Sequence, residues 1–374
     1  MRILHIYSGN LFGGIEAILI SLARHASLGA DRHEFALCFD ARLADSLRAA
    51  CAPVHLLAPV RVRRPHTVRQ ARRRLTSLLA SHAFDVCLVH APWSHALFGG
   101  TVHGAGVPLV FWAHDAWSGQ HWTERWARRT PPDAIVANSA FTLGTLDNVY
   151  RGVARSVVHA PLDVRPVTVD TRERAVIRAE LSTPDTAIVV AQASRMEAWK
   201  GHATLLRALA ALRHDVRWIC WIVGSAQRPA EQAYERSLRE LATELGILDR
   251  VRFAGERHDV PRVLAAADVY CQPNARPEPF GIVFIEALTA GIPVLTAAVG
   301  GALDIVDDTC GRLAAAADGD AWRSTLSALI ADERERTRLG AAGPARAATL
   351  CDPARQIQRL HAVLGATTHV GVAG

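Results

Sequence analysis

The stretch Arg2-Ile3-Leu4-His5-Ile6-Tyr7-Ser8-Gly9-Asn10-Leu11-Phe12-Gly13-Gly14-Ile15-Glu16 decides the fold class. Its first six residues form a short, mostly apolar run, the pattern of a buried strand. Ser8 to Gly14 then reads as a loop. From Ile15 to His25 the period changes, with Ile15, Ile18, Leu19 and Leu22 on one helical side. A strand that passes through a glycine loop into a helix opens a β-α unit. Paired glycines let backbone come close to a ligand, and free N–H groups at a helix start attract phosphate. Gly13 and Gly14 are therefore candidate contacts, although an ordinary tight turn has the same composition. The spacing fits neither Gly-x-Gly-x-x-Gly nor a loop ending in Gly-Lys-Ser/Thr, which argues against a dinucleotide dehydrogenase and a P-loop ATPase.

The same alternation continues outward. Residues 34–40, 84–90, 109–114 and 134–138 read as further strands, separated by helical segments, which predicts a parallel sheet with helices on both faces. Pro161-Leu162-Asp163-Val164-Arg165-Pro166 reads as a linker, after which the rhythm restarts. Strands are expected at 187–193, 218–223, 251–253, 269–272 and 294–297, and helices at 203–212 and 229–245. The 374 residues suit two domains of ordinary size. We place them at 1–163 and 164–350, with a C-terminal helix and loose tail over 351–374, the tail from Thr367.

Composition narrows the class. No secretory leader is read at the start, and the nearly uncharged stretch Gly281–Leu303 contains Glu286 and Pro293, so it reads as helix, turn and strand rather than a membrane span. Cysteines at 38, 51, 87, 220, 271, 310 and 351 form neither a Cys-x-x-Cys pair nor a zinc-type cluster, which suits reduced thiols in a cytoplasmic protein. Lys and Arg total 42, yet Lys200 is the only lysine.

That lysine lies in Ser194-Arg195-Met196-Glu197-Ala198-Trp199-Lys200-Gly201, just after an expected strand and before a helix. Two cations at such a place can meet the charge that grows on a diphosphate leaving group, whereas a solvated surface pair would do nothing of the kind. The second dense motif is Glu278-Pro279-Phe280-Gly281-Ile282-Val283-Phe284-Ile285-Glu286. The N–H groups of Phe280, Gly281, Ile282 and Val283, at a helix start, could face phosphate, and a carboxylate in an apolar helix needs donors. Paired carboxylates also occur in glycosidases, and Glu286 could be a satisfied structural carboxylate.

Arg-x4-Lys-Gly followed about eighty residues later by Glu-x7-Glu around Pro-Phe-Gly resembles the donor site of the family 4 retaining glycosyltransferases. The likeness extends over roughly residues 1–350 and is more specific in the second half. It implies a GT-B fold, two Rossmann-like domains whose parallel sheets face each other across an interdomain cleft that closes on the donor. It further implies that Arg195 and Lys200 hold the donor diphosphate. Glu278 would bind sugar hydroxyls, Glu286 the ribose, and Gly13 and Gly14 the diphosphate. His114, after Leu109-Val110-Phe111-Trp112-Ala113, matches a histidine bordering the donor sugar. The implied reaction is front-face transfer of a sugar, from UDP or GDP as first expectations, to a hydroxyl acceptor such as a lipid-linked saccharide or small metabolite. Neither a metal nor another cofactor is expected. A sugar-nucleotide epimerase of the same fold and a non-catalytic sugar-nucleotide binder are the alternatives.

Residues 61–74 carry seven arginines and no acid, with Val68, Ala71, Leu75, Leu78 and Leu79 on one helical face. They read as a solvated face, as contact with an anionic membrane at its inner surface, or as a site for an acidic acceptor. No nucleic-acid-binding module accompanies them. Trp93, Trp112, Trp117, Trp122 and Trp126 crowd the first domain, and part of the segment 114–122 is expected beside the acceptor.

Overall fold

The computed structural model describes residues 1–10, 13–147, 149–215, 217–224 and 226–370. The chain divides into two compact units, Met1–Asp163 with Cys351–Gly374, and Val164–Leu350.

Unit 1 is built on β1 (Arg2–Tyr7), β2 (Arg32–Leu37), β3 (Val54–Leu56), β4 (Val86–His90), β5 (Leu109–Ala113), β6 (Ala134–Ala137) and β7 (Ala154–Val157). They form one parallel sheet in the order β3-β2-β1-β4-β5-β6-β7. Strand order reverses between β1 and β4, so the loops after these strands diverge to opposite faces and leave a crevice at their carboxyl ends. One sheet face carries Leu4, Ile6, Cys87, Val89, Phe111 and Ala113 into a core with Val68, Ala71 and Leu75 of the helix Pro65–Ser81. Alternation sends Ile3, His5, Tyr7, His90 and Trp112 to the other face.

Unit 2 repeats the scheme with β8 (Ile188–Ala193), β9 (Trp218–Val223), β10 (Val251–Gly255), β11 (Val269–Gln272), β12 (Val294–Ala297) and β13 (Gly311–Ala314). Its order is β10-β9-β8-β11-β12-β13, again parallel, with the reversal between β8 and β11. Both strong sequence motifs leave the sheet at this reversal: Ser194–Gly201 follows β8, and Glu278–Glu286 follows β11. The chain is thus two Rossmann-like units.

Several boundaries differ from the sequence reading. Three edge or near-edge strands, β3, β7 and β13, were not expected. They have three or four residues each and are partly exposed, so no apolar run marks them. The expected tail from Thr367 is a correction: the helix Pro353–Val370 continues through it, and residues 371–374 lie outside the described ones. Ile357, Leu360 and Leu364 are buried along this helix at helical spacing, and it packs near the helix Gly14–Arg24 of unit 1. No helix among the described residues is long and apolar enough to cross a membrane.

The burial of that face gives a test. Leu360→Ala should destabilise unit 1 by about 2–5 kcal/mol, the range for a large aliphatic side chain removed from a core. Calorimetry should show the unit 1 transition lowered and a separate unit 2 transition unchanged.

Candidate functional site

In unit 2, a short helical turn, Ala198–Lys200, ends at Gly201, which adopts φ of 79° and opens the helix His202–Ala210. A Cβ on Gly201 would stand 1.7 Å from the carbonyl oxygen of Pro273, so only glycine lets the two loops meet this closely. The Lys200 carbonyl accepts from Gln192 Nε2 at 2.8 Å, which ties the turn to β8.

That close approach brings Lys200 to Glu278. Its ammonium donates to Glu278 Oε2 at 2.6 Å, with both side chains 12% exposed. The same oxygen receives Asn274 Nδ2 at 3.2 Å and Gln272 Nε2 at 3.3 Å. Gln272 Oε1 in turn accepts from the buried Tyr270 hydroxyl at 2.6 Å. Three donors therefore converge on one carboxylate oxygen, and no hydrogen bond to Oε1 is found among the described residues. From the other side, the Glu278 carbonyl accepts the Gly301 N–H at 2.7 Å, and Glu278 bridges Gly300 in parallel fashion. Gly300 and Gly301 thereby hold the Glu278 backbone.

Arg195 is 55% exposed and pairs with Glu197 at 3.2 Å. Glu197 also accepts from Trp199 Nε1 at 2.8 Å, and the Lys200 ammonium sits 4.0 Å from the centre of the Trp199 ring. The two cations are therefore linked through Glu197 and Trp199, and each has an acidic partner of its own. Phe280 is buried, and Gly281, with φ of 104°, caps the helix Ile282–Thr289. A Cβ there would press on the Phe284 ring at 2.4 Å. Ile282 supplies one of the unbonded N–H groups that open this helix.

Glu286 is half-buried on the same helix. Its carbonyl accepts from Thr289 Oγ1 at 2.9 Å, and no ion pair or hydrogen bond to its carboxylate is found among the described residues. Burial pushes its carboxyl up to about 7. A carboxylate in that state is stabilised by hydroxyl donors.

In unit 1, Gly13 is the N-cap of the helix Gly14–Arg24, with extended backbone. Here the chain supplies an anion of its own. Glu16 is buried in the first turn, accepts from Tyr7 Oη at 2.8 Å, and its Oε2 would lie 3.6 Å from a Cβ on Gly13. Burial raises the Glu16 carboxyl above its ordinary value. His114 follows β5 and is 5% exposed. Its Nε2 meets His90 Nδ1 at 2.9 Å, and its carbonyl accepts from Asn138 Nδ2 at 3.0 Å. Burial pushes its imidazole down to about 3, so the ring is neutral. His114 Nδ1 and Asn138 Oδ1 are both buried without a hydrogen-bond partner among the described residues.

The structure thus brings Lys200 and Glu278 into contact and places Arg195 and Glu286 on the same carboxyl edge of unit 2. His114, Gly13 and Gly14 lie at the carboxyl edge of unit 1. Sequence reasoning missed Gln272, Asn274, Glu197, Trp199 and Glu16. A polar Gln-x-Asn directly after an apolar strand, as in Val269–Asn274, was the available signal. Among the crowded tryptophans, Trp112 and Trp117 are core residues, the latter packed edge-on against Phe111 and Tyr150, while Trp122 is 40% exposed.

Two Rossmann-like units, each offering polar groups at its sheet reversal, define the GT-B class of fold. Comparison with known proteins agrees. Residues 173–346 match the family described as Glycosyl transferases group 1, and residues 12–166 match Glycosyltransferase Family 4. A GDP-mannose-dependent monoacylated alpha-(1-6)-phosphatidylinositol monomannoside mannosyltransferase of Corynebacterium glutamicum is 32% identical over 270 residues, covering 67% of this chain and 68% of that one. A D-inositol 3-phosphate glycosyltransferase of Stackebrandtia nassauensis is 34% identical over 219 residues, 56% of this chain. The match spans about half of that enzyme's length, 48%. The Anabaena protein Alr3699/HepE, solved with UDP and glucose, superposes with a TM-score of 0.85 at 25% identity, covering 98% of this chain and 100% of that one. The chain belongs to glycosyltransferase family 4.

The Glu286 geometry predicts a pH dependence of known sign. The folded chain holds a proton up to about pH 7 that the unfolded chain releases near its ordinary 4.5, so stability falls as pH rises between those values. Glu286→Gln should remove that fall in thermal unfolding measured from pH 4 to 8. If a nucleotide places hydroxyl donors on this carboxylate, its affinity in calorimetric titrations of the unsubstituted protein should rise as pH passes 7, because an ionised carboxylate is the better acceptor. The Gln variant should lose this dependence.

Proposed function

We propose that the chain is a retaining glycosyltransferase that moves a hexosyl group from a nucleoside-diphosphate sugar to a hydroxyl acceptor. The observation that carries this reading is the convergence on Glu278 Oε2. With Lys200, Gln272 and Asn274 all on that oxygen, Oε1 is left to accept sugar hydroxyls, and the lysine serves as a fixed cation for a leaving diphosphate. Arg195, exposed beside it, supplies a second cation. Glu286 takes the ribose, and the helix start at Gly281 faces phosphate. Gly13 and Gly14 face phosphate in the same way, with Glu16 requiring displacement or protonation as the anion arrives. His114 and Asn138 accept hydroxyls of the sugar.

The step balances without an enzyme nucleophile. The bond from the anomeric carbon to the diphosphate oxygen breaks, and its electron pair stays on that oxygen. The acceptor oxygen bonds to the same carbon on the same face and passes its proton to the departing phosphate. Lys200 and Arg195 neutralise charge that is larger in the transition state than in the bound donor, which is why they accelerate the step. No metal is required by this scheme. UDP and GDP are the proposed carriers: the Anabaena protein was solved with UDP, and the mannosyltransferase is named as GDP-mannose-dependent.

For the acceptor we propose a lipid-linked or small polyol substrate reached from an anionic membrane surface. Arg61, Arg63, Arg64, Arg69, Arg73 and Arg74 are exposed and make no ion pair among the described residues, whereas Arg72 is packed, donating to the Leu97 carbonyl at 2.7 Å. Such a face attracts anionic headgroups. The protein is then cytoplasmic, with peripheral attachment.

Incubated with a panel of UDP- and GDP-sugars without acceptor, the protein should release nucleoside diphosphate from one of them slowly, and EDTA should not change the rate. Lys200→Ala and Glu278→Gln should each lower that rate about 10²–10³-fold, the scale of one lost transition-state contact, with the fold retained by circular dichroism although its unfolding temperature falls. Full turnover in either variant would refute the site. In flotation assays, vesicles with anionic lipid should retain the protein at low salt and release it at high salt, and replacing Arg69, Arg73 and Arg74 by Gln should weaken retention.

A further inference from the structure

A line of histidines crosses the face of the unit 1 sheet opposite the main apolar core. His361, on the helix Pro353–Val370, meets His33 with Nε2 to Nε2 at 2.9 Å. His33 Nδ1 meets His5 Nε2 at 2.7 Å, and His5 Nδ1 meets His90 Nε2 at 2.9 Å. His90 Nδ1 meets His114 Nε2 at 2.9 Å. The rings stack in sequence, with centroids 5.0–5.2 Å apart and tilts of 16–26°. His5 and His90 are fully buried, and His33 is 4% exposed. At the outer end His361 Nδ1 lies 3.0 Å from Asp31 Oδ2, while Asp31 Oδ1 holds the amino group of Met1.

Each neutral imidazole has one N–H and one bare nitrogen, so a chain of them must point one way throughout. The two ends choose the direction. Asp31 is an acceptor, so His361 Nδ1 carries the proton and its Nε2 is bare. His33, His5, His90 and His114 must then each carry the proton on Nε2, which leaves His114 Nδ1 bare. The inner end agrees, since a proton on His114 Nδ1 would be a buried donor with no acceptor among the described residues. We propose that Asp31 acts as a positioning residue through this relay, fixing His114 Nδ1 as a hydrogen-bond acceptor for a substrate hydroxyl. The hydroxyl's identity as that of a sugar rests on the transferase reading; the relay does not.

The relay also carries a signal. Suppose His361 takes a second proton. It then donates from Nε2 to His33, and every ring behind it must reverse, ending with a proton on His114 Nδ1. The added charge stays at His361, beside Asp31, yet the inner end changes from acceptor to donor. The groups facing His361 are Asp31, the Met1 amino group and His33. Burial and the amino group disfavour the second proton, and Asp31 favours it. Acid should therefore switch off hydroxyl acceptance at His114.

The test is nitrogen NMR of the full chain, in which long-range correlations distinguish protonated from bare imidazole nitrogens. At neutral pH His114 should show a bare Nδ1 and a protonated Nε2. Asp31→Asn should blur or reverse this pattern, and in a His33→Phe background, where the relay is cut, the same substitution should have no effect at His114. A protonated Nδ1 in the unsubstituted protein, or a His114 pattern indifferent to Asp31→Asn, would overturn the relay whatever the activity. With the relay intact, Asp31→Asn should also lower sugar-nucleotide turnover about tenfold, the scale of one lost hydrogen bond. A shifted tautomer with unchanged turnover would remove His114 from the sugar and leave the relay standing.

Discussion

Three donors on one carboxylate oxygen organise unit 2. An ammonium and two amides held on Glu278 Oε2 fix the carboxylate's rotation, and that rotation leaves the other oxygen without a donor among the described residues. The arrangement is tolerable because the pair is matched in charge and still 12% exposed on each side, so neither ion bears the full penalty of burial. It is possible only because Gly201 lets its helix start touch the Pro273 carbonyl, and because Gly300 and Gly301 hold the Glu278 backbone from beyond β12. Three separate loops are thus clamped to one another around a single residue, Glu278.

Parallel topology explains why those loops meet at all. The connection after β8 turns to one side of the sheet and the connection after β11 to the other, although the strands are neighbours. Residues some eighty positions apart in sequence emerge side by side with their helix starts directed at the same space. Unit 1 obeys the same rule between β1 and β4, but spends its carboxyl edge differently. It offers no cation at the equivalent turn. Instead it presents Glu16 at the helix start, and a neutral imidazole and an amide oxygen beyond β5 and β6.

Much of this was legible in sequence because it is local. The strand-loop-helix opening, the helix Pro65–Ser81 with its apolar positions, and the lysine at a strand end each declare themselves within about fifteen residues. Pairings between distant residues were less so. The sequence shows Arg195 and Lys200 as two cations with a shared target, but not that Glu197 would take Arg195 and Glu278 would take Lys200. Gln272 and Asn274 are small polar residues with no charge to draw attention. Short edge strands escaped for another reason: β3 and β13 bury too little on either face to leave an apolar signature.

The histidines were hidden by the same periodicity that built the sheet. His5, His90 and His114 each close or nearly close an apolar run, and taken singly each reads as a polar residue at a strand end. Their alignment depends on register, which no single strand contains. His5 lies opposite Phe35 on β2 and Leu88 on β4, so its histidine neighbours are both diagonal to it, at His33 and His90. A shift of one residue in either pairing would send the partner histidine to the opposite face and break the line. A row of buried imidazoles held in hydrogen-bonded contact is costly unless every nitrogen but the last is paired, and the last belongs to His114, just after β5. Among the described residues of this row, register therefore puts the one unpaired buried imidazole nitrogen at the sheet's carboxyl edge.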